Sequence, residues 1–322
     1  MSRAACVLLV AMFAGACSPV APGQEQVRIT IPRGATLRAV ADTLARHGLI
    51  RSPRWFRVYA GLRGDDRAIR AGVYDVRGGR TTAEVLELLV SGPLATQRLI
   101  VYEGMMLEEV AEAVEAQIGI AADSFLVAAR DSALRARLNV PAPTLEGYLY
   151  PSTYQVRIGA SARELVVQLV EEFASRWRPQ WNARLDSLGM TRWEAVILAS
   201  IIEGEVRHDQ DRTFVSSVYH NRLRAGWRLQ ADPTVIYALG RRRRLYEKDY
   251  LTRSPYNTYL IDGLPPGPIG QPSVASIRAA LYPARTDFFF FVAGSDGQHV
   301  FSRTLREHAR AIAEIRAPRN GR

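Results

Sequence analysis

Glu203 and Glu205 stand at the end of an almost wholly apolar run, Trp193-Glu194-Ala195-Val196-Ile197-Leu198-Ala199-Ser200-Ile201-Ile202-Glu203-Gly204-Glu205-Val206. The pattern predicts a core helix whose last turn carries both carboxylates. Two residues apart on a helix, their side chains point about 200° from one another, so they cannot act as a pair on one bond. One can face a cleft while the other faces solvent or a structural partner. A carboxyl held at the edge of an apolar core has its charged form disfavoured and its pKa raised. That is the property a general acid for glycoside cleavage needs. Taken alone, the segment equally fits two surface carboxylates that end a buried helix.

The segments that follow favour the first reading. Tyr219-His220-Asn221-Arg222-Leu223, Leu229-Gln230-Ala231-Asp232-Pro233 and Ser254-Pro255-Tyr256-Asn257-Thr258-Tyr259 combine amides, tyrosines and Gly/Pro turns. Tyrosine faces stack on pyranose rings, and amides bond to hydroxyl and N-acetyl groups. Asn221, Gln230, Tyr256 and Asn257 are therefore candidate sugar contacts, each with a loop-fixing hydrogen bond as its alternative. Asp232, before Pro233, is either a second carboxylate, which favours a hydrolase, or a turn former or the cap of the following helix. Glu146, before Gly147, reads as structural or as part of the cleft floor. His308 beside Glu307 reads as a packing residue, and Arg241–Arg244 as a solvated run. Only two cysteines occur, Cys6 and Cys17, and the five histidines are scattered, so neither a metal nor another cofactor is expected.

The elements that must position these groups begin with a repeat. Residues 29–41, Ile-Thr-Ile-Pro-Arg-Gly-Ala-Thr-Leu-Arg-Ala-Val-Ala, are echoed seventy positions on by residues 99–111, Leu-Ile-Val-Tyr-Glu-Gly-Met-Met-Leu-Glu-Glu-Val-Ala. Each copy alternates like a strand, turns at a glycine and continues with helical apolar spacing. Thr36 is placed to cap the first helix. Further helices are expected over 53–61 and 82–90, with a strand over 72–76 between them. The unit resembles the start of a LysM module, a small βααβ glycan-binding fold. Residues 121–190 read as mostly helical, with a clear period over 161–177. A strand buried on both faces is expected over 288–292, and a closing helix over 308–316.

The chain has 322 residues, 48% of them hydrophobic, and a net charge of +10. Such a composition is that of a folded protein of two domains. The basic surface suits a polyanion, but no aromatic-basic stripe supports nucleic acid. The amino terminus, MSRAACVLLVAMFAGAC, has one arginine and an apolar stretch too short to span a bilayer, for which about 20 residues are needed. It reads as an export signal with Cys17 as a lipidation site, as a short uncleaved anchor, or as the signal of a plain secreted protein. The expected organisation is a signal or lipoprotein-type anchor over 1–17, a tether over 18–26, a LysM-like region over 27–120 and a catalytic domain over 121–322.

The segments already quoted, with Leu145-Glu146-Gly147-Tyr148-Leu149-Tyr150-Pro151, Gly263-Leu264-Pro265-Pro266-Gly267-Pro268-Ile269 and Ser302, Thr304, Glu307 and His308, resemble the MltG (YceG-like) endolytic murein transglycosylase family over about residues 27–316. The resemblance implies an α+β fold, with a LysM-like βα N-terminal subdomain before a mixed α/β catalytic domain related to lysozyme-like transglycosylases. It implies cleavage of the bond between N-acetylmuramic acid and N-acetylglucosamine, leaving a 1,6-anhydro end, with Glu205 as acid/base and Glu203 as the runner-up. Peptidoglycan strands are the implied substrate, peptidoglycan synthases the implied partners, and the periplasmic side of the inner membrane the implied location. The family's usual Ala-Ser-Ile-(Ile/Val)-Glu-Lys-Glu-Thr has Gly204 for Lys and Val206 for Thr here. Trp227 replaces Met, and Gln271-Pro272-Ser273 replaces Asn-Pro-Gly, both readable as variation of the cleft wall. Two alternatives stand beside this reading: a muramidase that uses water, and a noncatalytic glycan-binding lipoprotein.

Overall fold

The computed structural model describes residues 26–294 and 297–317, so the expected export signal, Cys17 and all but the last residue of the tether lie outside the described residues. The chain folds as two compact units. Among the described residues these are 26–97 with 155–160, and 98–154 with 161–317.

The first unit runs β1 (Gln26–Ile31), α1 (Leu37–Arg46), α2 (Pro53–Arg63), β2 (Gly72–Arg77) and α3 (Thr82–Val90). Strands β1 and β2 pair antiparallel, with Ile29 opposite Tyr74. Alternation puts Ile29, Ile31, Tyr74 and Val76 on one face, where they pack with Val40, Leu44, Phe56, Val85 and Leu89. Helix α1 starts where expected, because Thr36 Oγ1 accepts the Ala39 N–H at 3.2 Å. Thr81 and Glu84 close a reciprocal capping box on α3.

Strand β3 (Thr96–Val101) leads into the second unit, and α4 (Leu107–Ile118) follows it. The repeat is thus structural: the strands start at 26 and 96, and the helices at 37 and 107. In each copy the intervening glycine takes a left-handed conformation, φ 74° at Gly34 and 73° at Gly104. Next come α5 (Ala122–Arg130), α6 (Ser132–Arg137), β4 (Ser152–Arg157), which pairs with β3, α7 (Ala162–Arg176) and α8 (Gln180–Leu188).

Helix α9 (Arg192–Glu205) is the central element of the second unit. Thr191 and Glu194 cap its start, and every residue from Ala195 to Ile202 is buried. It packs against α10 (Arg212–Arg224), α11 (Asp232–Ala238) and α12 (Val274–Leu281). Ser200 Oγ accepts the Ile269 N–H at 3.0 Å and so pins the Gly/Pro-rich loop to the helix. Close packing explains Gly147, whose φ is 81°. A Cβ there would lie 2.6 Å from the Pro268 side chain.

The chain closes with a hairpin, β5 (Phe290–Ala293) and β6 (His299–Ser302), and with α13 (Leu305–Arg316). The strand expected over 288–292 therefore begins two residues later. It is not buried on both faces either, since Phe290, Phe291 and Val292 are all partly exposed. Its apolar run serves a cleft wall and not a sheet interior. Nor is the 241–244 run simply solvated: Arg242 pairs with Glu109 at 2.7 Å, and Arg243 holds Asp249 through two bonds of 2.6 and 2.8 Å.

Candidate active site

Helix α9 ends at the foot of a cleft of about 640 Å³ in the second unit, and Glu205 lies in its lining. The residue keeps some solvent access, while protein surrounds its carboxyl closely. Burial raises the pKa of Glu205 to about 7, chiefly by disfavouring the ionised form. The Tyr219 hydroxyl, which donates to Glu205 Oε1 at 2.7 Å, pulls the other way, as does the Arg222 charge, and the Asp232 charge adds to the rise. The group is poised to hold a proton at neutral pH and to release it without a large penalty.

The other lining residues divide by element. From α10 comes Arg222, itself buried, whose Nε donates to the Phe289 carbonyl at 2.8 Å and whose Nη1 donates to the Leu229 carbonyl at 2.5 Å. A guanidinium stays charged even there, so it can support the negative charge that Glu205 acquires on giving up its proton. From α11 comes Asp232. Its two oxygens accept the Tyr259 hydroxyl at 2.6 Å and the Tyr250 hydroxyl at 3.3 Å. The helix-capping position falls to Ala231, with Asp232 the first helical residue. Gln230 is exposed in the cleft and adopts φ 51°, a left-handed conformation rare for a residue with a side chain. Its backbone N–H is held by the Thr258 carbonyl at 3.1 Å, leaving the side-chain amide to face the cleft. The hairpin adds Phe290, Phe291 and His299, and α13 adds His308, stacked on Phe290 with ring centroids 5.3 Å apart.

The remaining candidates lie elsewhere. Glu203 points away from Glu205, as the helical geometry requires. It takes a 3.0 Å bond from Arg212 and accepts both the N–H and the hydroxyl of Ser273, at 2.8 and 2.5 Å. Glu146 is buried and does not line the cleft. It accepts the Leu107 N–H, the Gln271 amide and the Tyr237 hydroxyl, and burial pushes its pKa to about 8. Tyr256 packs on Tyr237, ring centroids 4.7 Å apart, beside this cluster. The Asn221 amide donates to the carbonyls of Thr286 and Phe288, and the Asn257 amide to those of Tyr250 and Thr252. In both, the loop-fixing alternative describes where the polar atoms go. Gln271 and Ser273 are not cleft wall: Gln271 is fully buried against Glu146, and Ser273 caps α12. Tyr219, Arg222, Tyr259 and His299 escaped the sequence reading as site residues. Tyr219, Arg222 and Tyr259 stood in segments already singled out, and the spacing of Tyr219 one turn before Arg222 on α10 was a further signal.

Comparison with known proteins identifies relatives of the chain. The YceG-like family model matches residues 29–314. A Bacillus subtilis (strain 168) protein named endolytic murein transglycosylase is 30% identical over 310 residues, covering 91% of this chain and 86% of that protein. A Streptococcus pneumoniae (strain D39) protein of the same name is 27% identical. There the match covers 91% of this chain and 59% of the longer relative. Among solved structures, a yceG-like protein from Listeria monocytogenes aligns with a TM-score of 0.62 and 30% identity, over 90% of this chain and all of that one. Since the matched span takes in the Glu205 helix, the cleft wall and nearly all the described residues, the chain belongs to the YceG-like family.

Proposed function

We propose that the protein is an endolytic peptidoglycan lytic transglycosylase with Glu205 as its single acid/base. The observation that carries this reading is one carboxyl with a pKa raised to about 7 in a polar cleft, where the nearby carboxylate, Asp232, has both oxygens engaged by tyrosine hydroxyls. Protonated Glu205 gives its proton to the glycosidic oxygen between N-acetylmuramic acid and N-acetylglucosamine, and the C1–O bond breaks. The substrate's own N-acetyl group stabilises the electron-poor centre. Arg222 and the Tyr219 hydroxyl stabilise the Glu205 carboxylate. That carboxylate then takes the C6 hydroxyl proton as O6 bonds to C1 and closes the 1,6-anhydro ring. An intramolecular nucleophile thereby replaces the second protein carboxylate that a hydrolase would need.

Gln230 is the proposed direct sugar contact. Asn221, Asn257, Tyr256, Glu203 and Glu146 are proposed to position the loops and helices around the cleft. The β1–α1–α2–β2 order of the first unit is consistent with a LysM-like glycan contact, and a lysozyme-like ancestry of the second unit is proposed on the single-acid chemistry. The location proposed is the outer face of the inner membrane, with the chain anchored through its N-terminus near peptidoglycan synthases. This rests on the sequence of residues 1–17.

Asp232 in the same cleft is the one observation that favours a muramidase. Mass spectrometry of products from uncrosslinked glycan strands separates the readings. Anhydromuramic ends that disappear in Glu205→Gln support the transglycosylase, whereas reducing ends would replace it with a hydrolase. Strands bound but uncut by the intact protein would point to a noncatalytic wall-binding lipoprotein.

A further inference from the structure

The cleft holds a second ordered polar group that the acid chemistry does not use. His299 opens β6, and Asp211 ends a short 3₁₀ turn (Asp209–Asp211) just before α10. Asp211 Oδ2 accepts both the backbone N–H of His299, at 2.8 Å, and its Nδ1–H, at 2.9 Å. The two side chains are only 4% and 8% exposed, so this is an enclosed pair and not a surface contact. A carboxylate only accepts, so Nδ1 donates to Asp211, and Nε2 is the ring nitrogen left to meet a ligand. The ring is wedged edge-on to Phe291, with centroids 5.2 Å apart and planes at 90°, and lies 6.1 Å from Phe301. Among the described residues Nε2 has no protein partner, and His299 lines the same cleft as Glu205.

We infer that Asp211 and His299 form a second substrate-binding element, in which His299 Nε2 accepts a hydrogen bond from an N–H or O–H of the bound glycan. Phe291 stands between His299 and Tyr219, its ring 5.8 Å from the Tyr219 ring, and Tyr219 in turn touches Glu205. His299 therefore meets a sugar beside the scissile bond and not the reacting atoms. The donor is either an acetamido N–H or a ring hydroxyl. The inference rests on reading the cleft as a glycan site, and the experiment separates the two.

Histidine-labelled Glu205→Gln protein, which binds without cutting, is titrated with chitotetraose and separately with cellotetraose, and the imidazole nitrogens are followed by long-range ¹H–¹⁵N spectra. His299 is expected in the Nδ1–H form before ligand, with its Nε2 resonance moving on saturation. A response to both sugars assigns the donor as a hydroxyl, and a response to chitotetraose alone assigns it as the acetamido N–H. His299→Ala in the same background is expected to weaken chitotetraose binding about tenfold, the usual worth of one such bond. Chitotetraose that saturates the protein while Nε2 stays unmoved would overturn the inference, leave the glycan-site reading intact, and make His299 a hairpin anchor. No chitotetraose binding at all would remove the glycan-site reading, and this inference with it. The nitrogen measurement uses the unmutated ring, so it decides even if His299→Ala fails to fold.

Discussion

The Tyr219 hydroxyl donates to Glu205 Oε1 across 2.7 Å, joining α10 to the last turn of α9. Burial of Tyr219 and the charge of Glu205 both hold its phenol well above the usual tyrosine range, so it remains a donor throughout the working pH. A donor aimed at a carboxylate favours the ionised form. Without it, the acid would hold its proton more tightly and return it to substrate less readily.

This relationship fixes the sign of a pH effect. If Glu205 acts as a protonated acid, kcat falls as pH rises through about 7. Tyr219→Phe removes the one bond that favours the anion, so the alkaline limb moves to higher pH while the maximal rate drops by about tenfold. Initial rates of anhydromuramic product formation between pH 5 and 9 measure both. An unshifted limb would detach the profile from Glu205.

Glu203 and Glu205 should respond to substitution in opposite ways. Glu203 and Arg212 form an enclosed pair, with side chains 6% and 11% exposed, that also anchors the start of α12. Glu203→Ala removes the enclosed partner of Arg212, which keeps its 2.8 Å pair with Asp209, and deletes both bonds to Ser273, so it is expected to cost about 1–3 kcal/mol in denaturant unfolding. Glu205→Gln keeps the shape and relieves a buried acid, so at pH 7 and above it holds or raises stability, while product formation falls to background. Matched unfolding curves and product assays on the two variants decide whether the two roles are as separate as the contacts make them.

That separation was legible in sequence because it depends on helical period alone, and local periodicity needs no tertiary information. The seventy-residue repeat and the Thr36 cap were legible for the same reason. For Asn221, Asn257 and Glu146 the sequence left two readings open, because an amide looks the same whether it meets a sugar or a backbone carbonyl, and a carboxylate whether it meets a sugar or a buried amide far along the chain. Strand β5 misled for a related reason. An aromatic run fits a buried strand and a cleft wall equally, and only the hairpin partner distinguishes them.

Buried acids with raised pKa values give the fold its own pH dependence. Glu146 rises from an ordinary 4.5 to about 8 and Glu205 to about 7, both through burial, so the folded state holds protons that the unfolded chain releases above 4.5. These two acids make stability fall as pH climbs from 4.5 toward 8 and level off beyond it, while His220 and His308, whose pKa values burial lowers, contribute in the opposite direction below 6.5. Glu205→Gln removes the part of this decline that ends near 7 and leaves the part that ends near 8. Denaturant midpoints at half-unit pH steps trace both components, and stability that fails to fall between pH 7 and 8 would contradict the burial of Glu146.

Gln230 couples strain to function. Relieving its φ of 51° through Gln230→Gly is expected to hold or raise stability by about 1 kcal/mol, since glycine enters the left-handed region without penalty. The same change deletes the amide that faces the cleft, so activity should fall about tenfold. Thermal melts and steady-state rates on Gln230→Gly and Gln230→Ala test the trade. Alanine loses the amide and keeps the strain, so it should lose activity with no gain in stability.

Gly204 is the departure from the family pattern that the packing explains. A Cβ at this position would lie 2.7 and 2.9 Å from Pro233 Cβ and Cγ, inside any real contact distance. Pro233 is the second residue of α11 and directly follows Asp232, so a side chain at 204 must push that helix end, and the Asp232–Tyr259 bond with it, away from Glu205. Because Asp232 helps raise the Glu205 pKa, the displacement also lowers the acid's proton affinity. Gly204→Ala is therefore expected to cost about 1–3 kcal/mol in unfolding, to reduce product formation, and to move the alkaline limb of the rate profile to lower pH, opposite to Tyr219→Phe. A Gly204→Ala enzyme with normal stability and an unshifted profile would mean that Pro233 yields without moving Asp232, and that the two carboxylates are not coupled through this contact.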